Sequence, residues 1–109
     1  MRRVKVRAKV PERVRAGEVV EVRTLASHRM ESGERIDAEG RRIPRDIVNR
    51  FEARLDGRLA FAADFGPAVS ANPYLAFRVR VERSATLELA WTDDAGETTR
   101  LERRIEVVG

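Results

Sequence analysis

The chain of 109 residues contains no cysteine. It therefore forms no disulfide, offers no thiolate nucleophile and cannot itself hold a sulfur substrate covalently. Histidine occurs once, as His28, which argues against a multi-histidine metal site. Aromatic residues make up only 6% of the chain, with one tryptophan and one tyrosine, so there is little to stack on exposed bases. No apolar run approaches the roughly 20 residues of a membrane helix, and no stretch carries a clear helical period. The length points to one domain over residues 1–109. Such a domain buries roughly two thirds of the surface its unfolded chain would expose, enough for a core without a disulfide or metal staple.

Charge is plentiful but unevenly placed. The formal net charge is +4, yet residues 1–15 hold seven bases (Arg2, Arg3, Lys5, Arg7, Lys9, Arg13, Arg15) against the single acid Glu12. The rest of the chain is thus slightly acidic, and the high isoelectric point belongs to the N-terminal segment. Lys5 and Lys9 are the only lysines; every other base is arginine, whose fork suits carboxylates and interfaces. The basic start is not the opening of an export signal, because Val4, Val6, Ala8 and Val10 alternate with Lys5, Arg7 and Lys9 and no continuous apolar segment follows. Read by composition alone, the chain is cytoplasmic.

Alternation continues along the chain. Val4–Val10 reads as a strand ended by Pro11, with Glu12–Gly17 as a turn and Glu18–Ser27 as a second strand. A third begins near Asp46, with Ile47, Phe51, Ala53 and Leu55 on its apolar side. Asn49 falls on that side too, either as a core amide bonded to loop backbone or because alternation starts only at Phe51. Asp56-Gly57 predicts a two-residue hairpin turn, since both positions need positive φ. Leu59, Phe61, Ala63 and Phe65 form the return strand; Ala68–Pro73 is irregular. Tyr74–Arg83, Thr86–Thr92 and Thr98–Val108 complete the set, with Trp91 in the core and Arg103 at a rim or bulge. About seven strands and no helix predict an all-β, immunoglobulin-like, two-sheet antiparallel sandwich with one long loop.

That loop, between Thr24 and Phe51, holds about twenty polar and charged residues, long for a compact domain unless it binds something. Asp37-Ala38-Glu39-Gly40 predicts a turn inside it, closing a small hairpin between Arg35-Ile36 and Arg42-Ile43. No catalytic set is apparent. Ser27 and His28 are neighbours and point to opposite faces if in a strand, a poor geometry for a nucleophile and its base. Asp93-Asp94 beside Gly96 suits turn chemistry better than a cation site. Glu31, Glu34, Asp37 and Glu39 are interspersed with Arg29, Arg35, Arg41 and Arg42, which suits solvation better than a metal cage. The apolar residues of the irregular segments (Met30, Ile36, Ile43, Val69, Tyr74) are either interface anchors or a cap over the sandwich's own end.

Three segments, SHRMESGERIDAEGRRIPRDIVNRF, PAVSANPYLAF and LAWTDDAGETT, resemble in order and spacing the SoxZ family, subunits of the thiosulfate-oxidising SoxYZ carrier. One departure is Arg29, where the family usually has proline. The resemblance implies a non-enzymatic immunoglobulin-like chain without cofactor or metal, paired as a heterodimer with a SoxY-like chain. The partner's flexible C-terminal arm carries a glycine-flanked cysteine that holds thiosulfate-derived sulfur and meets other sulfur-oxidation enzymes transiently. It also implies a periplasmic location, the chain crossing the membrane with a partner that carries the signal, against the cytoplasmic reading of composition.

On this reading His28, Met30, Arg45, Asn72, Pro73 and Tyr74 lie near the partner-binding surface, with neither nucleic acid nor membrane as partner. Expressed alone, the chain is expected to self-associate as a two-fold homodimer through its uncovered partner face. The competing reading is a structural or adhesive immunoglobulin-like module for another protein. A small hydrolase using His28 is a third reading, to be rejected if His28→Ala leaves every activity unchanged.

Overall fold

The computed structural model describes residues 4–27, 31, 33–66 and 73–109. Eight strands follow in chain order: β1 (Lys5–Lys9), β2 (Arg13–Val14), β3 (Glu18–Ser27), β4 (Val48–Leu55), β5 (Arg58–Asp64), β6 (Tyr74–Val81), β7 (Ala85–Asp93) and β8 (Thr98–Val107). They form a three-stranded sheet, β1-β3-β6, and a five-stranded sheet, β2-β8-β7-β4-β5. All pairings are antiparallel except β2 on β8. The expected all-β two-sheet sandwich is therefore what the chain adopts.

Period-two alternation decides which residues meet between the sheets. Val20, Val22, Phe77, Val79 and Val81 of the smaller sheet face Phe51, Ala53, Leu87, Leu89, Trp91 and Ile105 of the larger one in a single core. Phe51 is the centre of an aromatic group. Its ring lies 5.1 Å from Trp91, 5.8 Å from Phe77 and 6.2 Å from Phe61. Phe61 and Phe77 stack at 4.7 Å, so Phe77 joins the sheets through two rings. Burial of each such side chain contributes about 2–3 kcal/mol. Thr24 is also buried, and its hydroxyl is satisfied by the Leu75 carbonyl at 3.2 Å.

Turn chemistry sets the hairpins. Asp56 (φ 49°) and Gly57 (φ 83°) both take the left-handed conformation, as a type I′ connection between β4 and β5 requires. The Asp56 carboxylate also accepts the Thr86 amide at 2.9 Å, tying this turn to the start of β7.

One detail differs from the sequence expectation, and a second decides between its alternatives. The segment Glu12–Gly17 is more than a turn: Pro11 ends β1, and Arg13–Val14 cross to the other sheet and run parallel to β8, bonded through Glu106 N to Glu12 O and Val108 N to Val14 O, both 2.8 Å. Two residues show no periodicity, so only tertiary pairing reveals this eighth strand. Arg103 pairs in regular register with Leu87, with no bulge, and is exposed at the rim.

Candidate functional site

Strand directions bring three connections to one end of the sandwich. The long segment leaves β3 at Ser27 and enters β4 at Val48; the 65–73 connection leaves β5 and enters β6 at Tyr74; the 94–97 turn joins β7 to β8. Leu25 pairs with Tyr74 and Val48 with Asp93, which places all three at this end.

The long loop is organised in two tiers. At its base, Glu31 and Asp46 exchange backbone hydrogen bonds, both 2.8 Å, in an isolated antiparallel bridge. Above it lies the expected small hairpin. Ile36 bridges Arg42, Ile43 N donates to Arg35 O at 2.8 Å, and Asp37 N donates to Arg41 O at 2.8 Å. The Asp37 carboxylate holds the tip by accepting the amides of Glu39 and Arg41. Arg35 forks onto Glu31 and Arg42 donates to the Gly33 carbonyl, so the mixed charges are largely spent within the loop. Ile36 is left 59% exposed, whereas Ile43 is half-buried.

Asp94 fastens this loop to the sandwich. Its carboxylate accepts Arg45 Nε at 2.9 Å and Nη2 at 2.8 Å, Asn49 Nδ2 at 2.8 Å and the Ile47 amide at 3.1 Å, while its own amide donates to Ile47 O at 3.0 Å. Burial is the largest single influence on the Asp94 carboxyl and pushes its pKa up. The hydrogen bonds from Arg45, Asn49 and Ile47, with the Arg45 charge, outweigh it and hold the group below the usual aspartate value. Asp93 does the turn chemistry expected of the pair: its carboxylate accepts the amides of Ala95 and Glu97. Asn49 is where β4 shifts register against β7, and its carbonyl accepts the Phe65 amide at 2.8 Å. It is a half-buried amide bonded to a carboxylate, and the local irregularity explains why alternation becomes regular only at Arg50.

Of the six residues expected near a partner, His28, Met30 and Asn72 lie outside the described residues, as do Arg29 and Val69. Arg45 is committed to Asp94 and half-exposed. Pro73 is buried, and its carbonyl accepts the Ala26 amide at 3.1 Å. Tyr74 opens β6 on the outer face of the three-stranded sheet and is 59% exposed. Arg45 and Tyr74 border different depressions. Arg45 lines one with Glu31, Ile43, Pro44, Asp46 and Asp94; Tyr74 lines another with Arg7, Lys9, Arg23 and Leu25.

The residue sequence reasoning missed is Asp94. Once Asp93 satisfies the hairpin turn, a second adjacent carboxylate is surplus and needs a distant partner. That surplus was the available signal. Asp94 accepts from four donors and is a poor general base. Among the described residues, no group of three or more His, Asp or Glu side chains could hold a metal ion, and no helix is long and apolar enough to cross a membrane. The arrangement braces the loop against the end of the sandwich.

Comparison with known proteins gives the same architecture. No curated protein matches the sequence. Superoxide reductase (neelaredoxin) from Ignicoccus hospitalis superposes with a TM-score of 0.65 at 19% identity, covering 96% of this chain and 80% of that one. A variant of it gives 0.69 at 17% identity, covering 94% and 79%. The sulfur carrier protein SoxY from Chlorobium limicola f thiosulfatophilum gives 0.57 at 14% identity, covering 95% and 74%. At these identities the likeness is one of fold. The sequence pattern of the family described as "Sulphur oxidation protein SoxZ" matches residues 6–103, which span β1 to β8. The chain belongs to the SoxZ family of sulphur oxidation proteins.

Proposed function

We propose that the protein is the non-catalytic subunit of a sulfur-compound carrier, paired with a SoxY-like chain whose C-terminal cysteine holds thiosulfate-derived sulfur. The observation that carries this reading is the family match over residues 6–103. The absence of cysteine agrees with it, since the sulfur must then ride on another chain. So does the braced loop, whose hairpin leaves Ile36 exposed. The likeness to SoxY suggests that both members of the pair share a sandwich architecture.

The pair works in the periplasm, where the SoxY-like arm delivers its sulfur to successive enzymes, and this chain completes and presents that arm. Permanent subunits of this kind bury roughly 2,000 Å² or more. Alone, the chain forms a two-fold homodimer through the same face. Co-expression with a SoxY-like chain followed by gel filtration tests the pairing. A stable heterodimer is expected; two species eluting independently at micromolar concentration overturn it.

A further inference from the structure

The outer face of the three-stranded sheet is mostly exposed, and half of its residues are basic. In register across it lie Lys5 with Ser27, Arg7 with Leu25 and Tyr74, Lys9 with Arg23 and Ala76, Glu21 with Arg78, and Val19 with Arg80. Alternation sends these side chains outward together because their neighbours Val20, Val22, Phe77 and Val79 are drawn into the core. Six bases share the face with one acid, and that acid, Glu21, already accepts Arg23 Nε at 2.7 Å.

An arginine-rich composition alone would load both sheets alike. It does not. On the outer face of the five-stranded sheet, bases and acids interleave: Arg50 and Arg54 bond Glu52, Arg50 also bonds Asp64, and Arg104 bonds Glu106. That sheet is neutralised from within, while the smaller one keeps its surplus.

The basic face also has an apolar component. Tyr74 is 59% and Val19 46% exposed, and a shallow depression beside Tyr74 is lined by Arg7, Ala8, Lys9, Arg23, Thr24 and Leu25. Bases on β1 recur every second residue, about 7 Å apart. Alternate side chains of any extended polypeptide have the same spacing. Apolar ground between the charges suits the alternating apolar and acidic side chains of a protein segment, and arginine forks bind carboxylates in pairs of hydrogen bonds.

We infer that this face docks an extended acidic segment of a protein partner, with its carboxylates on Arg7, Lys9 and Arg78 and an apolar side chain in the depression beside Leu25 and Tyr74. The inference goes beyond the pairing proposed above; of the residues expected near the SoxY-like chain it uses only Tyr74.

The test is fluorescence anisotropy of the full chain with a labelled Glu-rich peptide carrying interspersed Leu and Tyr. A peptide with Gln in place of Glu, a short DNA duplex and phosphatidylglycerol vesicles serve as comparisons. The Glu peptide is expected to bind, more weakly as salt rises from about 20 to 200 mM. Arg7→Glu/Arg78→Glu should weaken it at least about tenfold. Arg100→Glu/Arg103→Glu, the same charge change on the other sheet, should weaken it far less. Melting temperatures confirm that both variants fold. Equal loss in the two variants, equal binding of the Gln peptide, or tighter binding of DNA or vesicles overturns the inference. The measurement is repeated on the pair with a SoxY-like chain, where retained binding is expected and loss of binding overturns a free docking face. Failure of that pair to form counts against the proposed pairing and leaves the measurement on the chain alone decisive.

Discussion

Asp94 and Arg45 stand 49 residues apart in sequence and meet as fork on carboxylate, with Nε 2.9 Å from Oδ2 and Nη2 2.8 Å from Oδ1. The aspartate sits on the β7–β8 turn and the arginine at the base of the long loop. Their contact converts a connection of some twenty residues into part of the sandwich end. Arg45 is half-exposed while Asp94 is mostly buried, so the two ends of the bond are not equivalent.

That asymmetry predicts an order of effects. Asp94→Ala strands the donors of Arg45, Asn49 and Ile47 and should destabilise the protein by about 2–3 kcal/mol. Arg45→Ala leaves Asp94 its other two donors and should cost only about 0.5–1 kcal/mol. Urea denaturation measures both, and a larger loss for Arg45→Ala would contradict the hub role of Asp94.

The depressed pKa of Asp94 gives a signed pH dependence. A carboxyl whose folded pKa lies below its unfolded value stabilises the fold above the unfolded value of about 4. That contribution disappears as pH falls through the lower, folded value. The stability gap between the native protein and Asp94→Asn should therefore be steady near neutrality and narrow only below about pH 4. Comparing the two chains cancels the other depressed carboxyls, Glu52 and Glu106. A gap that widens in acid would contradict the assignment.

Gly33 has φ +92°, and a Cβ there would come within 3.2 Å of the Arg45 Cβ. Gly33→Ala should therefore cost about 1–2 kcal/mol, from left-handed strain together with the close approach. Its effect should concentrate in the loop: hydrogen exchange at the Glu31, Asp37, Ile43 and Asp46 amides should quicken while the β7 and β8 amides change little. Uniform acceleration across the core would show that the loop is not a separate unit.

Ile36, at the arm of the loop hairpin, is exposed enough that Ile36→Glu should shift folding stability by less than about 0.5 kcal/mol. If the hairpin meets the SoxY-like chain, the same change should weaken that pair at least about tenfold, by placing a charge in an apolar contact. Calorimetric titration against the partner reads the effect, and an unchanged affinity would remove the hairpin from the interface.

Much of the sandwich was readable from the chain because burial on strands follows a strict period. Leu87, Leu89 and Trp91 could only face one way, and Asp56-Gly57 could only turn one way. The loop hairpin was readable for a related reason: Asp37 and Gly40 act over four residues. The Asp94–Arg45 contact was not, because it depends on where β4 lands against β7 and on the irregularity at Asn49 that resets their register. Arg13–Val14 was not, because a two-residue strand has no pattern of its own. Arg45, expected near a partner, is bonded to Asp94 within the chain and still half-exposed. The placement of Tyr74 beside Arg7 and Leu25 on one face follows only from strand pairing.

The uneven distribution of charge between the two sheets has a kinetic consequence. A molecule with one positive flank and one balanced flank carries a lasting electric moment, and an acidic body nearby exerts a torque on it. At physiological ionic strength that torque reaches only about 8 Å. It acts, then, in the last few layers of water before contact, turning glancing collisions so that the β1-β3-β6 sheet arrives first.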